Sequence, residues 1–212
     1  MILVLLVFKP INLHNYNLLV NLFGLALSLL GEVVRIISVG FSFYGTSGRE
    51  SYLKAENLNT SGIYSIVRNP LYVGNFLIFM GLLIVFSNGF AMMAFAVFLW
   101  VQIYFIILVE EEFLKKNFGD RYDRYCSQVN RIIPNFKDYV KNKNPFRLKK
   151  AIFKESDSVF NMLMMFILIL LYKEKVFKKN VEYLNYYIII GSCLIVIYLT
   201  VKIVKKRKTL NF

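Results

Sequence analysis

Three consecutive carboxylates, Glu110, Glu111 and Glu112, close an apolar stretch in a chain whose charge is otherwise mostly basic. At a free helix C-terminus they would oppose the macrodipole, so the helix is expected to run on. Leu114 and Phe118 follow Glu110 at four-residue steps, and Gly119 then suits a left-handed stop. Paired with neighbouring Lys and Arg, such a run is ordinarily a solvated helix end. The alternative is a carboxylate cluster at the mouth of an interfacial pocket, suited to a cationic or polyhydroxyl ligand. That second reading gains weight once Arg68 is set opposite.

Arg68 belongs to the segment SGIYSIVRNPLYVGN, which begins at Ser61. Asn69-Pro70 alone is a good helix start, with Asn as cap and Pro in the first turn. Neither role accounts for Arg68, nor for Tyr64 and Tyr72 on either side, beyond interfacial anchoring. Between this segment and the glutamates lie two apolar helices joined only by Asn88-Gly89. So short a turn returns the chain to the membrane face it left, and both polar segments meet there. Beyond the glutamates, Tyr122, Tyr125 and Val129 share one helical stripe with Arg121 and Arg124 off it, which describes an amphipathic surface element. Arg131, just before Pro134, can return to the same place, and its guanidinium fork suits a carboxylate or phosphate.

The elements that must position these residues are membrane helices. Of 212 residues, 57% are hydrophobic and 17% aromatic, and the apolar residues come in long blocks. The pattern predicts an all-α, polytopic membrane bundle of about five spans, at roughly 16–40, 71–87, 90–109, 159–172 and 184–204. The fourth is shorter than the roughly 17 residues needed to cross untilted, so it is re-entrant, interfacial or extended by its flanks. The opening MILVLLVF is too short to span and lacks the basic n-region and cleavage site of a signal peptide, and is expected to stay as a surface or membrane-dipping lead-in.

The net charge of +13 lies between the apolar blocks, where it orients the protein and meets anionic lipid rather than nucleic acid. The segment after Glu110 and the Lys205-Lys206-Arg207-Lys208 tail both belong inside, and five spans make them agree. A loop carrying Lys173, Lys175, Lys178 and Lys179 then falls outside, against the rule. Cys126 and Cys193 form no CxxC and the single His14 has no Cys or His neighbour, so neither a disulfide framework nor a metal site is expected. The expected organisation is a membrane core over 1–140, a basic linker with Pro145 over 141–157, and C-terminal hydrophobic helices over 158–212. Nothing in the sequence sets an oligomeric state. Richness in Lys, Asn, Ile, Phe and Tyr points to a bacterial source, and so to the cytoplasmic membrane.

Together the two polar segments resemble the isoprenylcysteine carboxyl methyltransferase and phospholipid methyltransferase family of membrane enzymes. Its signatures are G-P-Y-x-x-V-R-H-P-x-Y-x-G and E-E-x-x-L-x-x-x-F-G-x-x-Y-x-x-Y ending in Arg and Pro. Gly62, Tyr64, Val67, Arg68, Pro70, Tyr72 and Gly74 match the first; Glu110, Glu111, Leu114, Phe118, Gly119, Tyr122, Tyr125, Arg131 and Pro134 match the second. Ile63 stands where the family has Pro, and Asn69 where it has His. An amide keeps a donor and an acceptor but does not titrate near neutral pH.

The resemblance implies an enzyme that transfers a methyl group from S-adenosylmethionine to a lipid or lipid-linked acceptor. The pocket would lie at the cytosolic face, between the loop before the second span and the extension of the third, with the acceptor entering from the bilayer. Arg68, Asn69, Tyr72, Glu110 and Glu111 would hold the donor, and Arg131 would be the acceptor-side charge, Arg68 and Arg131 being the catalytic candidates. An anionic oxygen acceptor needs no base whereas an ammonium does, so carboxylate or phosphate is favoured over amine. Two alternatives stand beside it. Tyr125-Cys126 followed by Arg131 and Pro134 is similar to sterol-type membrane reductases, which use NADPH, although Glu110-Glu111 would repel a dinucleotide's phosphates. A non-enzymatic scaffold binding anionic lipid would leave no pocket between Arg68 and Glu111.

Overall fold

The computed structural model describes residues 7–11, 17–43, 56–177 and 182–209. These contain seven helices and no strand: α1 (Asn17–Phe41), α2 (Ile63–Ile66), α3 (Pro70–Phe86), α4 (Gly89–Phe118), α5 (Asp120–Gln128), α6 (Leu148–Phe177) and α7 (Glu182–Thr209). Most of the lead-in, His14, Lys178 and Lys179 lie outside the described residues.

The tightest helix pair is α1 with α3, and small residues make it possible. A Cβ at Gly24 would sit 2.5 Å from the Gly81 carbonyl oxygen, and one at Gly31 would sit 2.6 Å from that of Gly74. Between them the Ser28 hydroxyl donates to the carbonyls of Gly24 (3.0 Å) and Ile78 (3.1 Å). In lipid, apolar surface alone does not drive helices together, so close backbone approach and such hydrogen bonds carry the association.

Helices α1, α4 and residues 185–206 of α7 are long and apolar enough to cross a bilayer. Helix α3, at 17 residues, is apolar but at the lower limit. The buried residues of α4 are Ala91, Leu99, Ile103, Ile107 and Glu111, one stripe at steps of four, while Phe90, Met93, Val97, Phe98, Phe105 and Val109 face outward. An apolar exterior of this kind is what a lipid solvent leaves uncovered. Thirty residues give α4 a length of about 45 Å against a hydrocarbon core of about 30 Å, so one end must project. The expected extension past Glu110 is present and stops at Gly119, whose φ is 50°.

Two sequence expectations need correction, and a third is narrowed. The fourth apolar segment, over 159–172, is extended by its flanks as the middle of the 30-residue α6, and the stretch read as linker is helical from Leu148 onward. Charged residues at its ends hid this, because they interrupt the apolar run. Lys173 and Lys175 accordingly lie in α6 rather than in a loop. Lys173 is 6% exposed and donates to the Val85 carbonyl (2.9 Å), Asn21 Oδ1 (3.0 Å) and the Ser87 hydroxyl (3.3 Å), capping the C-terminus of α3. The hairpin turn itself is Ser87-Asn88: Ser87 takes the left-handed conformation (φ 59°) and Asn88 caps α4 by accepting from the Ala91 amide at 2.9 Å. Residues 9–11 fasten that turn, since Asn88 Nδ2 donates to the Lys9 carbonyl (2.7 Å) and the Ile11 amide to Ser87 (3.1 Å).

Candidate functional site

Two stretches of chain, one holding only the short α2 and the other following α5, bring the polar segments together. The loop around α2 is laced to the residues after α5: Gly62 amide to Val140 carbonyl (2.7 Å), Arg68 amide to Asn130 carbonyl (2.9 Å), Asn135 amide to Ile66 carbonyl (2.9 Å). The Tyr125 hydroxyl adds a bond of 2.6 Å to the Tyr64 carbonyl. Gly62, at φ 62°, holds a conformation that a side chain disfavours, and a Cβ there would collide with Asn142. Helix α5 folds back because its expected stripe is buried: Tyr122, Tyr125 and Val129 cluster with Leu58, and Leu114, Phe118 and Cys126 pack around them.

This lacing assembles all six residues singled out in the sequence. Glu111 continues the inward stripe of α4 one turn beyond Ile107 and is 8% exposed. Its Oε2 accepts from Arg131 Nε (3.0 Å) and forms an ion pair with Arg131 Nη2 (2.7 Å), and its Oε1 accepts from Asn69 Nδ2 and forms an ion pair with Arg68 Nη2, both at 3.3 Å. The carboxylate pushes the Arg131 guanidinium above its ordinary value. Arg131 also lies over the Tyr104 ring, 5.9 Å from its centroid. Glu110 has a different partner, accepting the Tyr72 hydroxyl at 2.7 Å. Glu112 is the solvated end, paired with Lys116 at 2.7 Å on the exposed surface.

Asn69 sits at the N-cap of α3 with Pro70 in the first turn, yet its side chain makes no capping bond. Its amide instead donates to Glu111 and to the Arg131 carbonyl at 3.1 Å, tying the two motifs. Arg68 and Glu111 meet directly rather than across a cavity. A groove of about 130 Å³ is lined by Tyr72, Val73, Phe76, Leu77, Trp100, Ile103 and Ile132. An apolar lining of this kind beside the cluster suits a lipid chain.

The cluster suits a donor with an amino acid end and a ribose. Its carboxylates match ammonium and hydroxyl groups, its guanidinium matches a carboxylate, and Arg68 Nε is buried with no hydrogen-bond partner, leaving a donor to be satisfied. Among the described residues no group of His, Cys, Asp or Glu is arranged to hold a metal ion. Sequence reasoning missed Tyr104, Asn75, Arg35 and Glu155 near this site. The signal for Arg35 was present, since an ionisable residue inside an apolar span marks function by default.

Comparison with known proteins agrees with the motifs. The family described as phospholipid methyltransferase matches residues 19–121. A protein-S-isoprenylcysteine O-methyltransferase B of Arabidopsis thaliana is 36% identical over 117 residues, 53% of this chain and 58% of that protein. The protein-S-isoprenylcysteine O-methyltransferases of Schizosaccharomyces pombe (38% over 77 residues; 36% of this chain, 33% of that protein) and Tribolium castaneum (33% over 119 residues; 55% and 42%) are also similar. The chain thus covers little more than half of the plant relative's length and less of the others. No solved structure matches. These relatives are eukaryotic and lend no support to the bacterial source read from composition. With both motifs assembled at one helix end, residues 19–121 of the chain are similar to the phospholipid methyltransferase family and to protein-S-isoprenylcysteine O-methyltransferases.

Proposed function

We propose that this chain transfers a methyl group from S-adenosylmethionine to an anionic oxygen of a lipid-linked acceptor, with the carboxylate of a prenylated cysteine as the leading candidate. One observation carries the reading: Arg68, Asn69, Tyr72, Glu110, Glu111 and Arg131, drawn from two motifs, converge beside an apolar groove that Tyr72 also lines. The relatives' names support the oxygen acceptor and the prenylcysteine class. They also weigh against a reductase and a bare scaffold, although Arg68 and Glu111 meet with no pocket between them, as a scaffold would leave. In this reading α1, α3, α4, α6 and α7 cross the bilayer and the cluster faces the cytosol. Residues 1–140 are the core that holds the motifs.

When bound, S-adenosylmethionine supplies an electrophilic methyl on a sulfonium, so the protein needs no nucleophile of its own. What remains is alignment, which can contribute roughly 7 to 11 kcal/mol of barrier reduction. Arg68, with its unsatisfied Nε, binds the donor's carboxylate, while Glu110 and Glu111 take its ammonium and hydroxyl groups. Asn69 keeps the two motifs in register. Arg131, 36% exposed at its side chain and so the more accessible arginine on Glu111, turns its planar fork to the acceptor's anion. An oxygen acceptor of this kind is ionised at neutral pH, which agrees with an untitratable Asn69.

The test is transfer of labelled methyl from the donor to a prenylated N-acetylcysteine by the purified full-length protein in lipid nanodiscs. The reading expects a base-labile methyl ester on that acceptor or on an acidic lipid. Label confined to amine headgroups, or none from a protein that binds the donor, would refute the oxygen acceptor.

A further inference from the structure

A second arginine–carboxylate pair lies deeper in the bundle, and one partner comes from a helix outside residues 19–121. Glu155 of α6 is 2% exposed and Arg35 of α1 is 7% exposed. They meet through Arg35 Nη2 at 2.6 Å and Nε at 2.8 Å, both on Glu155 Oε2. The remaining arm of Arg35, Nη1, donates to Asn75 Oδ1. Asn75 stands one helical turn beyond Tyr72 on α3, and Tyr72 is the residue that holds Glu110. The Arg35 stem crosses α3 at Gly74, where a Cβ would come within 2.5 Å of its Cγ, which gives this motif glycine its physical reason.

The loop of the first motif leans on the same place. The Tyr64 hydroxyl donates to the Ser38 carbonyl at 3.4 Å, one turn beyond Arg35 on α1. Burial, with the negative charges of Glu110 and Glu155, pushes the Tyr64 phenol above its ordinary value, so this ring feels the site carboxylate and the α6 carboxylate together.

A buried ion pair contributes little net stability, because desolvation offsets its attraction, whereas it specifies geometry well where every arm is used. We infer that α6 completes the donor site: Glu155 holds Arg35, and Arg35 fixes Asn75 and the turn of α3 that presents Tyr72 to Glu110. Glu155 and Arg35 are positioning residues in this scheme, and their role rests on the donor-site reading given above. Lys173, about 27 Å further along α6 by helical rise, ties the opposite end of α3 and is the natural control.

The experiment measures S-adenosylmethionine affinity by calorimetry, with thermal unfolding in parallel, on the full chain in nanodiscs. Glu155→Gln should weaken donor binding about tenfold. The apolar pair Arg35→Met with Glu155→Met, which removes both charges and so leaves neither stranded, should weaken it comparably while remaining folded. Tyr72→Phe combined with Glu155→Gln should lose no more than the larger single effect, because both act on one chain of contacts. Lys173→Met should lower the unfolding temperature and leave donor affinity unchanged. Undiminished affinity in both Glu155→Gln and the double Met variant, or additive losses with Tyr72→Phe, overturns the inference. A wild-type protein that does not bind the donor overturns the donor-site reading instead, so the two failures are distinguishable.

Discussion

The two arginine–carboxylate pairs, Arg131 with Glu111 and Arg35 with Glu155, use the same chemistry at different depths. At the outer pair the side chains are 36% and 10% exposed, and Glu111 divides itself among Arg131, Arg68 and Asn69. The inner side chains are 8% and 2% exposed, and Arg35 spends its arms on Glu155 and Asn75. Water and ligand can reach the first, so its bonds are exchangeable and a bound anion or cation can replace a partner. The second is sealed between three helices, and its bonds are replaced only if the helices part. In the proposed reading, depth separates a binding group from a brace, although the residue types are the same.

The sharpest way to break the comparison is to strand a charge at the inner pair. Arg35→Gln takes the guanidinium away from the buried Glu155 carboxylate and should cost about 3 to 5 kcal/mol of stability, read as a large fall in unfolding temperature. An unfolding temperature equal to wild type would mean that water reaches Glu155 and that the two pairs are alike. At the outer pair, Glu111→Gln should act mainly on binding. It removes a charged acceptor and should weaken donor affinity by roughly 1.5 to 3 kcal/mol in calorimetry, as should Glu110→Gln for its own partner.

Arg131→Lys sharpens the division within the outer pair. An ammonium can still neutralise Glu111 but has no planar fork, so the variant should bind the donor normally and turn over about tenfold more slowly. Equal rates would remove Arg131 from the acceptor side. The smallest effect is expected at Glu112→Gln: its bond to Lys116 is fully solvated, and neither affinity nor unfolding temperature should move.

The sequence made the outer pair legible and hid the inner one. Glu111 follows Ile107 on an inward stripe, and Arg68, Asn69 and Tyr72 sit at a helix start, so local periodicity and one short hairpin were enough to bring them together. The inner pair joins residues 120 apart in the chain, and periodicity within one helix says nothing about its partner on another. The same holds for α1 against α3, where Gly24, Ser28 and Gly31 face Gly74, Ile78 and Gly81: the stripe of small residues was present, but only the fold shows which helix it meets. Helix α6 was shortened in the sequence reading because Lys149, Lys150, Lys154, Glu155 and Asp157 look like a solvated linker. Glu155 is in fact buried against Arg35, and a buried pair carries no local mark that separates it from a surface charge.

The central claim is that the outer cluster is a site for S-adenosylmethionine. Calorimetry on the purified full-length protein in nanodiscs, with S-adenosylmethionine and NADPH titrated separately, tests it most directly. Saturable binding of S-adenosylmethionine that weakens in Glu111→Gln, with no heat from NADPH, is the predicted result. Binding of NADPH with none of S-adenosylmethionine, or S-adenosylmethionine binding indifferent to both Glu110→Gln and Glu111→Gln, would contradict it.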